Sequence, residues 1–336
     1  MKLRNQDTPR RRALRRKPIR ELSLSLEGSP VEPLLRRLDR ELERKLRRFR
    51  PRYYLTDEWG CPSGQPVIGI PFYLADPELA RIEKETNDLE SAREIMMYLR
   101  HEAGHAFNYA YRLYQRPEWR ATFGAYRRRY SDDYRPVPFS REYVRHLPGW
   151  YAQKHPDEDF AETFAVWLTP KSSWRRLYRG WPAMKKLLLV DRMARERAGR
   201  EPLVQRGRPD ITADQMSMTV GEYIDLSAAR SRAVYQAELD HHLEDIFLHT
   251  GAAPRGSRVA WKIVEEHRVA LTNTIATWTG VSRLVVRELV DSIAAATRKG
   301  RFRGIRGKEK EYLVHLTAYT TALAANYLTR GKFHKV

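Results

Sequence analysis

The chain has 336 residues, of which 42% are hydrophobic and 31% are charged, a composition typical of a folded globular protein rather than a disordered one. Its single cysteine, Cys61, excludes an intramolecular disulfide framework and a CxxC metal or redox motif. The formal net charge of +20 is large enough to attract nucleic acid or an acidic protein surface.

The N-terminus and the apolar stretches bear on location. "MKLRNQDTPRRRALRRKPIR" is basic and no apolar segment follows it, which argues against a secretory signal. The most apolar run, 312–328, is interrupted by His315 and Asn326. Because a span needs about 20 mainly apolar residues, we predict a buried helix here and no transmembrane segment. A nearly cysteine-free chain suits a reducing compartment, so we predict a cytoplasmic protein.

The basic charge is concentrated near the N-terminus. Residues 1–52 contain 18 of the 62 Lys and Arg but 7 of the 42 Asp and Glu, and 298–311 is a second basic stretch. We predict that residues 1–19 form a disordered basic arm that could bind nucleic acid or an acidic protein surface. A solvated tail without a partner is the alternative.

Residues 21–50 predict one strand followed by one helix. Leucines alternate with polar residues over 21–28, which is the period of a half-buried strand. Ser29 precedes Pro30, and Glu32 lies three positions after the serine, which is a capping-box start for a helix. The leucines that follow fall on one helical face.

Two further strands and two helices are predicted before residue 115. "RYYLTDEW" (52–59) and "PVIGIPFYL" (66–74) have the composition of strands, and the second could pair through its edge with an extended substrate. A short helix is predicted over 76–85, and a long helix from about Ser91 to Tyr114.

The remaining chain contains a long excursion and then mainly helices. Residues 116–150 are rich in Arg, Tyr, Trp and Pro and lack helical periodicity, so we predict a structured loop that walls a cleft. Helices are predicted at 157–168 and 182–198, and a linker at 199–210. Residues 206–336 predict a helical domain whose role no motif indicates.

The long helix contains the motif HExxH in "LRHEAGHAFNYAYRLY". His101 and His105 lie four apart, so both rings project from one helical face and can reach a zinc ion at about 2.0–2.1 Å. Glu102 lies about 100° around the axis, where it can hold a water and act as general base rather than as a ligand. The alternative is a chance match on a helix.

A third ligand is needed to complete a zinc site. The metzincin pattern is excluded because Asn108 and Tyr111 occupy its glycine and third histidine positions. A later predicted helix supplies Glu158 and Glu162, again four apart. In glutamate zincins of the thermolysin type, the first acid of such a pair binds zinc and the second hydrogen-bonds a ligand histidine. By that similarity we assign Glu158 as the third ligand and Glu162 as the outer carboxylate.

The two segments "YLRHEAGHAF" and "WYAQKHPDEDFAETFAVWL" together resemble the bacterial putative zinc-binding metallopeptidase family. The second segment is also similar to the peptidase domain of anthrax lethal factor, in which a Tyr-Ala stretch precedes the ligand glutamate by seven residues. By that resemblance Tyr151 would stabilise the oxyanion. The resemblance covers about residues 20–198, implies a zinc-peptidase fold and says nothing of 206–336.

Other residues were weighed as alternatives. His155 could replace Glu158 as ligand, although Pro156 after it indicates a helix start. His146 could be a second oxyanion donor or a surface histidine. Glu238 and His241 have ExxH spacing, but no second ExxH completes a di-iron pattern, so a solvated helix face is the prediction.

These patterns predict an α+β fold. A zincin-like catalytic domain over 20–200 would pack a small sheet on the HExxH helix and the glutamate-bearing helix, and an all-α domain would follow over 206–336. The predicted function is zinc-dependent hydrolysis of a peptide or amide bond. Two alternatives remain open: a metallopeptidase acting on nucleic-acid-bound proteins through the basic arm, and a zinc-stabilised binding protein without turnover.

Overall fold

A computed structural model describes residues 9–86, 89–130, 134, 136–137, 139–148, 150–232, 243–281 and 283–330. The chain divides into two compact units. The first comprises 1–132, 139–147 and 151–228, and the second comprises 133–138, 148–150 and 229–336. The mixture of helices with two small sheets agrees with the predicted α+β class.

The first unit is built mainly from helices around one apolar core. Its helices are α1 (Pro9–Arg16), α2 (Glu32–Glu43), α3 (Pro77–Thr86), α4 (Ala92–Ala110), α5 (Pro117–Phe123), α6 (Pro156–Leu168), α7 (Trp174–Leu177), α8 (Ala183–Arg197) and the start of α9 (Val220–Arg232). The predicted helices at 76–85, 157–168 and 182–198 are confirmed as α3, α6 and α8.

Helix α4 begins where the sequence predicts. The Ser91 side chain accepts a hydrogen bond from the Glu94 backbone N–H, and the Glu94 carboxylate accepts one from the Ser91 N–H, which completes a capping box. The helix ends at Ala110 rather than Tyr114, and every residue from Leu99 to Ala110 is buried. It is therefore the central helix of this core.

Strands β1 (Arg52–Thr56) and β2 (Val67–Pro71) confirm the two strands predicted in this region, and they pair in parallel. All of β2 is buried. The prediction that its edge could receive a substrate is wrong at Gly69, because that backbone N–H already donates to the Gly60 carbonyl at 2.7 Å.

The predicted strand over 21–28 is wrong. Ile19–Glu21 forms a 3-10 turn, and Ser23 has a φ of +51°, which breaks an extended backbone. The helix that follows begins at Glu32 rather than Ser29. The Ser29 hydroxyl donates to the Leu26 carbonyl, and Glu32 accepts from the Gly28 N–H, so both groups close a turn before the helix.

The basic arm is folded where the structure describes it. Residues 1–8 lie outside the described part, but Pro9–Arg16 form α1 rather than a disordered tail. Arg11 pairs with Glu78 on α3 at 2.7 Å, and the Val220 N–H donates to the Lys17 carbonyl at 3.1 Å. These tertiary contacts order a segment whose composition alone predicts disorder.

The predicted linker at 199–210 packs against the first unit. The Val204 N–H donates to the Ala110 carbonyl at 3.0 Å, and the Arg208 N–H donates to Gln65 Oε1 at 2.9 Å. Because these bonds tie the segment to the core, the first unit extends to residue 228 instead of ending near 200.

The second unit has its own apolar core. Its helices are α10 (Ala260–Glu266), α11 (Arg268–Thr279), α12 (Arg283–Lys299) and α13 (Glu309–Arg330). The prediction of an all-α domain is wrong in one respect, because β3 (Leu248–His249), β4 (Arg258–Val259) and β5 (Phe302–Gly304) form an antiparallel sheet in the order β3-β5-β4. Strands of two or three residues are too short for a periodic pattern. Among the described helices, none combines the length and apolarity that crossing a membrane requires.

Candidate metal centre

The two histidines of α4 and the first glutamate of α6 lie together at the contact between these helices. His101 Nε2 and His105 Nε2 are 3.1 Å apart, and Glu158 Oε2 lies 2.9 Å from the first and 3.2 Å from the second. Ligand atoms that surround a tetrahedral zinc at about 2.0–2.1 Å lie about 3.3 Å from one another. The three atoms therefore have the spacing and the donor chemistry of a three-residue zinc site.

A close helix contact brings the ligands together. Gly104 lies on α4 between the histidines, and a Cβ added to it would lie 2.8 Å from Ala161 Cα and 3.0 Å from the Ala161 carbonyl oxygen. Only glycine permits this approach without displacement of a backbone. Glu158 is three positions before Ala161 on α6, so the contact places its carboxylate beside both rings.

Glu162 lies on the far side of the His101 ring. Its Oε1 is 2.9 Å from His101 Nδ1, and its Oε2 accepts a 2.9 Å hydrogen bond from the Leu147 backbone N–H. A carboxylate that accepts the Nδ1 proton leaves Nε2 as the ligand atom. The arrangement is the one expected for a carboxylate that supports a ligand histidine.

Asp157 supports His105 in the same way, and our sequence reasoning missed it. Its Oδ2 lies 3.0 Å from His105 Nδ1, and it also accepts hydrogen bonds from Asn108 and Tyr109. The sequence did contain a pattern that could have identified Asp157. Each ligand histidine usually hydrogen-bonds an outer carboxylate, and Asp157 directly precedes the predicted ligand Glu158.

Burial and ion pairing set the protonation of these groups. Burial alone would lower the pKa of His101, but hydrogen bonds to Glu158 and Glu162 outweigh it and raise the pKa to about 9. Burial alone would also lower the pKa of His105, but the carboxylates of Asp157 and Glu158 raise it well above its usual value. Burial would raise the pKa of Glu158, but the two histidines hold it well below its usual range. The site thus favours a carboxylate anion between two histidines that bind protons tightly.

A cavity of about 740 Å³ opens on the three candidate ligands. Its lining includes Glu102 and Tyr151, together with residues of segments 58–63 and 126–130. The predicted loop at 116–150 therefore contributes to a cleft wall, as expected. Glu102 is buried, and burial raises the pKa of its carboxyl group above the usual range, although the neighbouring histidines partly oppose this.

Two tyrosines lie beside the candidate ligands. The Tyr151 ring centroid is 5.6 Å from that of His101. The Tyr130 hydroxyl donates to Glu158 Oε1 at 2.8 Å and lies 3.2 Å from the Tyr151 hydroxyl. Sequence reasoning missed Tyr130, because no spacing distinguishes it from the other aromatic residues of its loop. Burial raises the pKa of Tyr151, which keeps the phenol protonated.

The alternative histidines occupy other positions. His155 caps α6, where its Nδ1 accepts from the Asp157 N–H at 3.1 Å and its Nε2 donates to the Arg128 carbonyl at 2.9 Å. Both of its nitrogens are therefore already used. His146 Nε2 donates to the Met97 carbonyl at 2.9 Å, and this residue is not among those that line the cavity. Glu238 and His241 lie outside the described residues.

Cys61 lines the cavity without the features of an activated nucleophile. Its thiol donates to the Gln65 carbonyl at 3.2 Å. Burial raises the pKa of the thiol, and the nearby carboxylate of Glu102 raises it further. A protonated thiol is a weak nucleophile.

Comparison with known proteins gave one match. Residues 64–173 match the model of the family described as "Putative zinc-binding metallo-peptidase". The matched segment contains every candidate ligand, Glu102 and Tyr151. No curated protein and no solved structure gave a significant match, so the resemblance to the lethal factor peptidase domain is not confirmed.

Proposed function

We propose, from the premise that residues 64–173 match this zinc-binding metallopeptidase family, that the chain hydrolyses a peptide or amide bond. The observation that carries the proposal is the triangle of ligand atoms from His101, His105 and Glu158, with sides of 2.9–3.2 Å, at the edge of a large cavity. The same cavity is lined by the buried carboxylate of Glu102 and the partly buried phenol of Tyr151, which hydrolysis would use. The proposed fold of the first unit is correspondingly zincin-like.

The side chains have separate roles in this proposal. His101, His105 and Glu158 would hold zinc, which when bound supplies Lewis acidity to a water and to a carbonyl group. Glu102 accepts the proton of the attacking water and delivers it to the leaving nitrogen. Its raised pKa suits this work, because a base whose pKa lies nearer neutrality can also act as the acid.

Tyr151 would act on the substrate carbonyl. Its protonated hydroxyl can donate a hydrogen bond to the oxyanion that forms when water adds to the carbonyl carbon. Tyr130 holds the second oxygen of Glu158 and thereby leaves the first oxygen directed at the histidines. We assign Tyr151 to catalysis and Tyr130 to the orientation of the ligand.

The proposal is tested by metal content and hydrolysis together. Purified protein should contain about one zinc per chain, and it should cleave members of a mixed peptide library followed by mass spectrometry. Glu102→Gln should keep the zinc and lose hydrolysis by about 10²–10⁴-fold. Glu142→Gln, an exposed carboxylate in the cleft-wall loop, is the matched control. Equal hydrolysis by Glu102→Gln and the parent would contradict the general-base assignment, and full zinc without any hydrolysis would favour the zinc-stabilised binding protein.

One observation favours substrates that are bound to nucleic acid. Helix α1 uses Arg11 to dock on Glu78, and Arg15 lies 3.6 Å from Asp225. Arg10 adds a favourable charge interaction with Glu78. Four further cations on α1 and just after it are exposed and form no ion pair within the described part of the chain; they are Arg12, Arg16, Lys17 and Arg20. We infer that this outward row contacts nucleic-acid phosphates.

Salt dependence tests the inferred contact with phosphates. DNA binding that involves this row should weaken steeply with salt, since each neutralised phosphate releases counterions. Charge reversal at Arg12 and Arg16 should reduce the slope of log K against log salt by about 2. Reversal at the exposed Arg93 and Arg179 is the control. An unchanged slope in the α1 variant would remove this row as the contact surface.

A further inference from the structure

We propose that Asp157 is the positioning residue for His105, and that the Asn108 amide and the Tyr109 hydroxyl hold Asp157 in place. This inference rests on the proposed zinc site, but not on the proposed hydrolysis. The carboxylate lies at the N-terminus of α6, one residue before the candidate ligand Glu158. It links both helices of the site.

The Asp157 carboxylate is enclosed by hydrogen-bond donors from α4. His105 Nδ1 lies 3.0 Å from Oδ2, Asn108 Nδ2 donates to Oδ1 at 2.7 Å, and the Tyr109 hydroxyl donates to Oδ2. The residue is 6% exposed. An ionised carboxylate at such burial is stable only when donors satisfy it, and the first turn of a helix adds further stabilisation of negative charge.

The direction of these hydrogen bonds determines the His105 tautomer. An ionised carboxylate accepts hydrogen bonds but donates none, so the proton between the two groups belongs to Nδ1 of the ring. The lone pair of Nε2 is then left for a metal. His101 and Glu162 repeat the arrangement on the other side of the site. Each ligand histidine thus has its own carboxylate.

Aromatic side chains of the cleft rim pack behind this contact. The Tyr126 ring lies edge-on to the Tyr109 ring, with centroids 6.2 Å apart, and the Ser63 hydroxyl lies 2.8 Å from the Tyr126 hydroxyl. Tyr109 gives its only proton to Asp157, so its hydroxyl group acts on the carboxylate as a donor.

Aromatic packing holds Tyr109 and His105 in one arrangement. The ring of Tyr126 stacks on that of Tyr114 at 4.3 Å, and the ring of Tyr109 stacks on that of His105 at 6.0 Å. Side chains that are packed in this way retain their rotamers. The orientation of His105 therefore depends on residues of α4 and α6 and on the aromatic rings that pack against them.

The experiment measures zinc affinity and ligand geometry rather than turnover. Asp157→Ala and Asp157→Asn are compared with Tyr109→Phe and with two controls. Asp159 lies in the same helical turn as Asp157, but its carboxylate pairs with Lys186 at 2.6 Å, so Asp159→Asn removes a carboxylate that does not contact a ligand histidine. Tyr114→Phe removes a hydroxyl group but keeps the ring that stacks on Tyr126. Zinc dissociation constants come from chelator competition, and the Co²⁺-substituted protein reports ligand geometry through its visible spectrum. Nitrogen-15 NMR of the zinc-loaded full chain identifies which His105 nitrogen binds the metal and which keeps its proton.

We expect Asp157→Ala to weaken zinc binding by about 10–100-fold and to shift the Co²⁺ bands, as loss of an outer carboxylate does. Asp157→Asn should lose less zinc affinity than Asp157→Ala, because an amide oxygen still accepts a hydrogen bond from Nδ1. Tyr109→Phe should have the smallest loss of the three. Both controls should stay within about 2-fold of the parent in zinc affinity, because neither touches a ligand histidine.

Three results would overturn the inference. They are zinc binding by Asp157→Ala within 2-fold of the parent, an equal loss of zinc affinity in Asp159→Asn, and binding of zinc by His105 through Nδ1 instead of Nε2. If Asp157→Ala does not fold, Asp157→Asn and Tyr109→Phe decide by the same readouts. A parent that binds zinc but cleaves no peptide would contradict the proposed function and leave this inference intact.

Discussion

Gly104 lies against Ala161, so that α4 and α6 approach more closely than any side chain at position 104 would allow. An added Cβ would be 2.8 Å from Ala161 Cα and 3.1 Å from Phe164 Cβ. This contact lies between the two candidate ligand histidines, one turn of α6 after Glu158. Helix spacing and ligand spacing are therefore coupled.

Gly104→Ala should separate the helices. Overpacking of this kind costs about 1–3 kcal/mol, partly offset by about 1 kcal/mol from the better helix propensity of alanine. We expect weaker zinc binding, measured by chelator competition, together with a lower Tm. Gly199→Ala is the control, because a Cβ there meets nothing within 4 Å and φ is not left-handed. Unchanged zinc affinity in Gly104→Ala would show that the ligand triangle does not depend on this contact.

The buried ion pair between Arg100 and Glu41 should stabilise the first unit. Arg100 donates two hydrogen bonds to the Glu41 carboxylate, at 2.7 and 2.9 Å, and both side chains are less than one-tenth exposed. Glu41→Gln removes the charge that compensates a buried guanidinium, so we expect a loss of about 3–5 kcal/mol in urea unfolding. Glu43→Gln breaks only the exposed pair with Arg50 and should cost about 0–1 kcal/mol. Similar costs for the two variants would contradict this account.

The metal-free protein should lose stability as pH rises. The pKa of His101 in the folded chain is about 9, above its ordinary value of 6.5, so the folded state binds this proton more tightly than the unfolded state. The resulting stabilisation is complete below about pH 6.5 and disappears as pH rises through 9. Tm measured in a chelator between pH 6 and 10 should fall across this window. His101→Asn should lack this pH-dependent contribution to stability. A Tm of the parent that does not change with pH would contradict the raised pKa of His101.

Zinc binding should show the opposite dependence on pH. Zinc and the proton compete for the same nitrogen atoms, so binding releases protons and the affinity should rise between pH 6.5 and 9. The measurement is chelator competition at constant ionic strength. Glu162→Gln removes one of the carboxylates that raise the pKa of His101, so it should move the rise in affinity toward lower pH. A zinc affinity that is independent of pH would indicate that these histidines are not the ligands.

Substitution of Tyr151 should affect hydrolysis, whereas substitution of Tyr130 should affect zinc binding. Tyr151→Phe should lower kcat by about 10²–10³-fold at unchanged zinc affinity, if its hydroxyl stabilises the oxyanion. Tyr130→Phe removes the 2.8 Å hydrogen bond to Glu158, which should weaken zinc binding by about 0.5–1.5 kcal/mol. Kinetics with a cleaved library peptide and zinc competition separate the two effects. The reverse pattern would exchange the assigned roles.

Local geometry explains what the sequence predicts well. A spacing of four places His101 and His105 on one face of any α-helix, and the capping box of Ser91 and Glu94 starts that helix without help from the rest of the fold. Composition also identifies β1 and β2, because aromatic and β-branched residues such as those they contain are typical of strands.

Tertiary contacts explain what sequence reasoning missed or got wrong. The alternating leucines at 21–28 predict a strand, yet no neighbouring strand pairs with them in the described structure and Ser23 turns the backbone. Helix α1 has the composition of a disordered arm, but the partner of Arg11 lies on α3, far along the chain. Neither the absence of a partner strand nor the presence of a distant partner for Arg11 can be read from the local sequence.

The sequence by itself determined which residues could bind a metal and which two helices carry them. Only the tertiary structure decided that Asp157 supports His105 and that Tyr130 holds Glu158, because these pairs are 52 and 28 positions apart. A periodic pattern describes neighbours along a helix or strand. Contacts between separate segments depend instead on how closely those segments pack, as the contact between Gly104 and Ala161 shows.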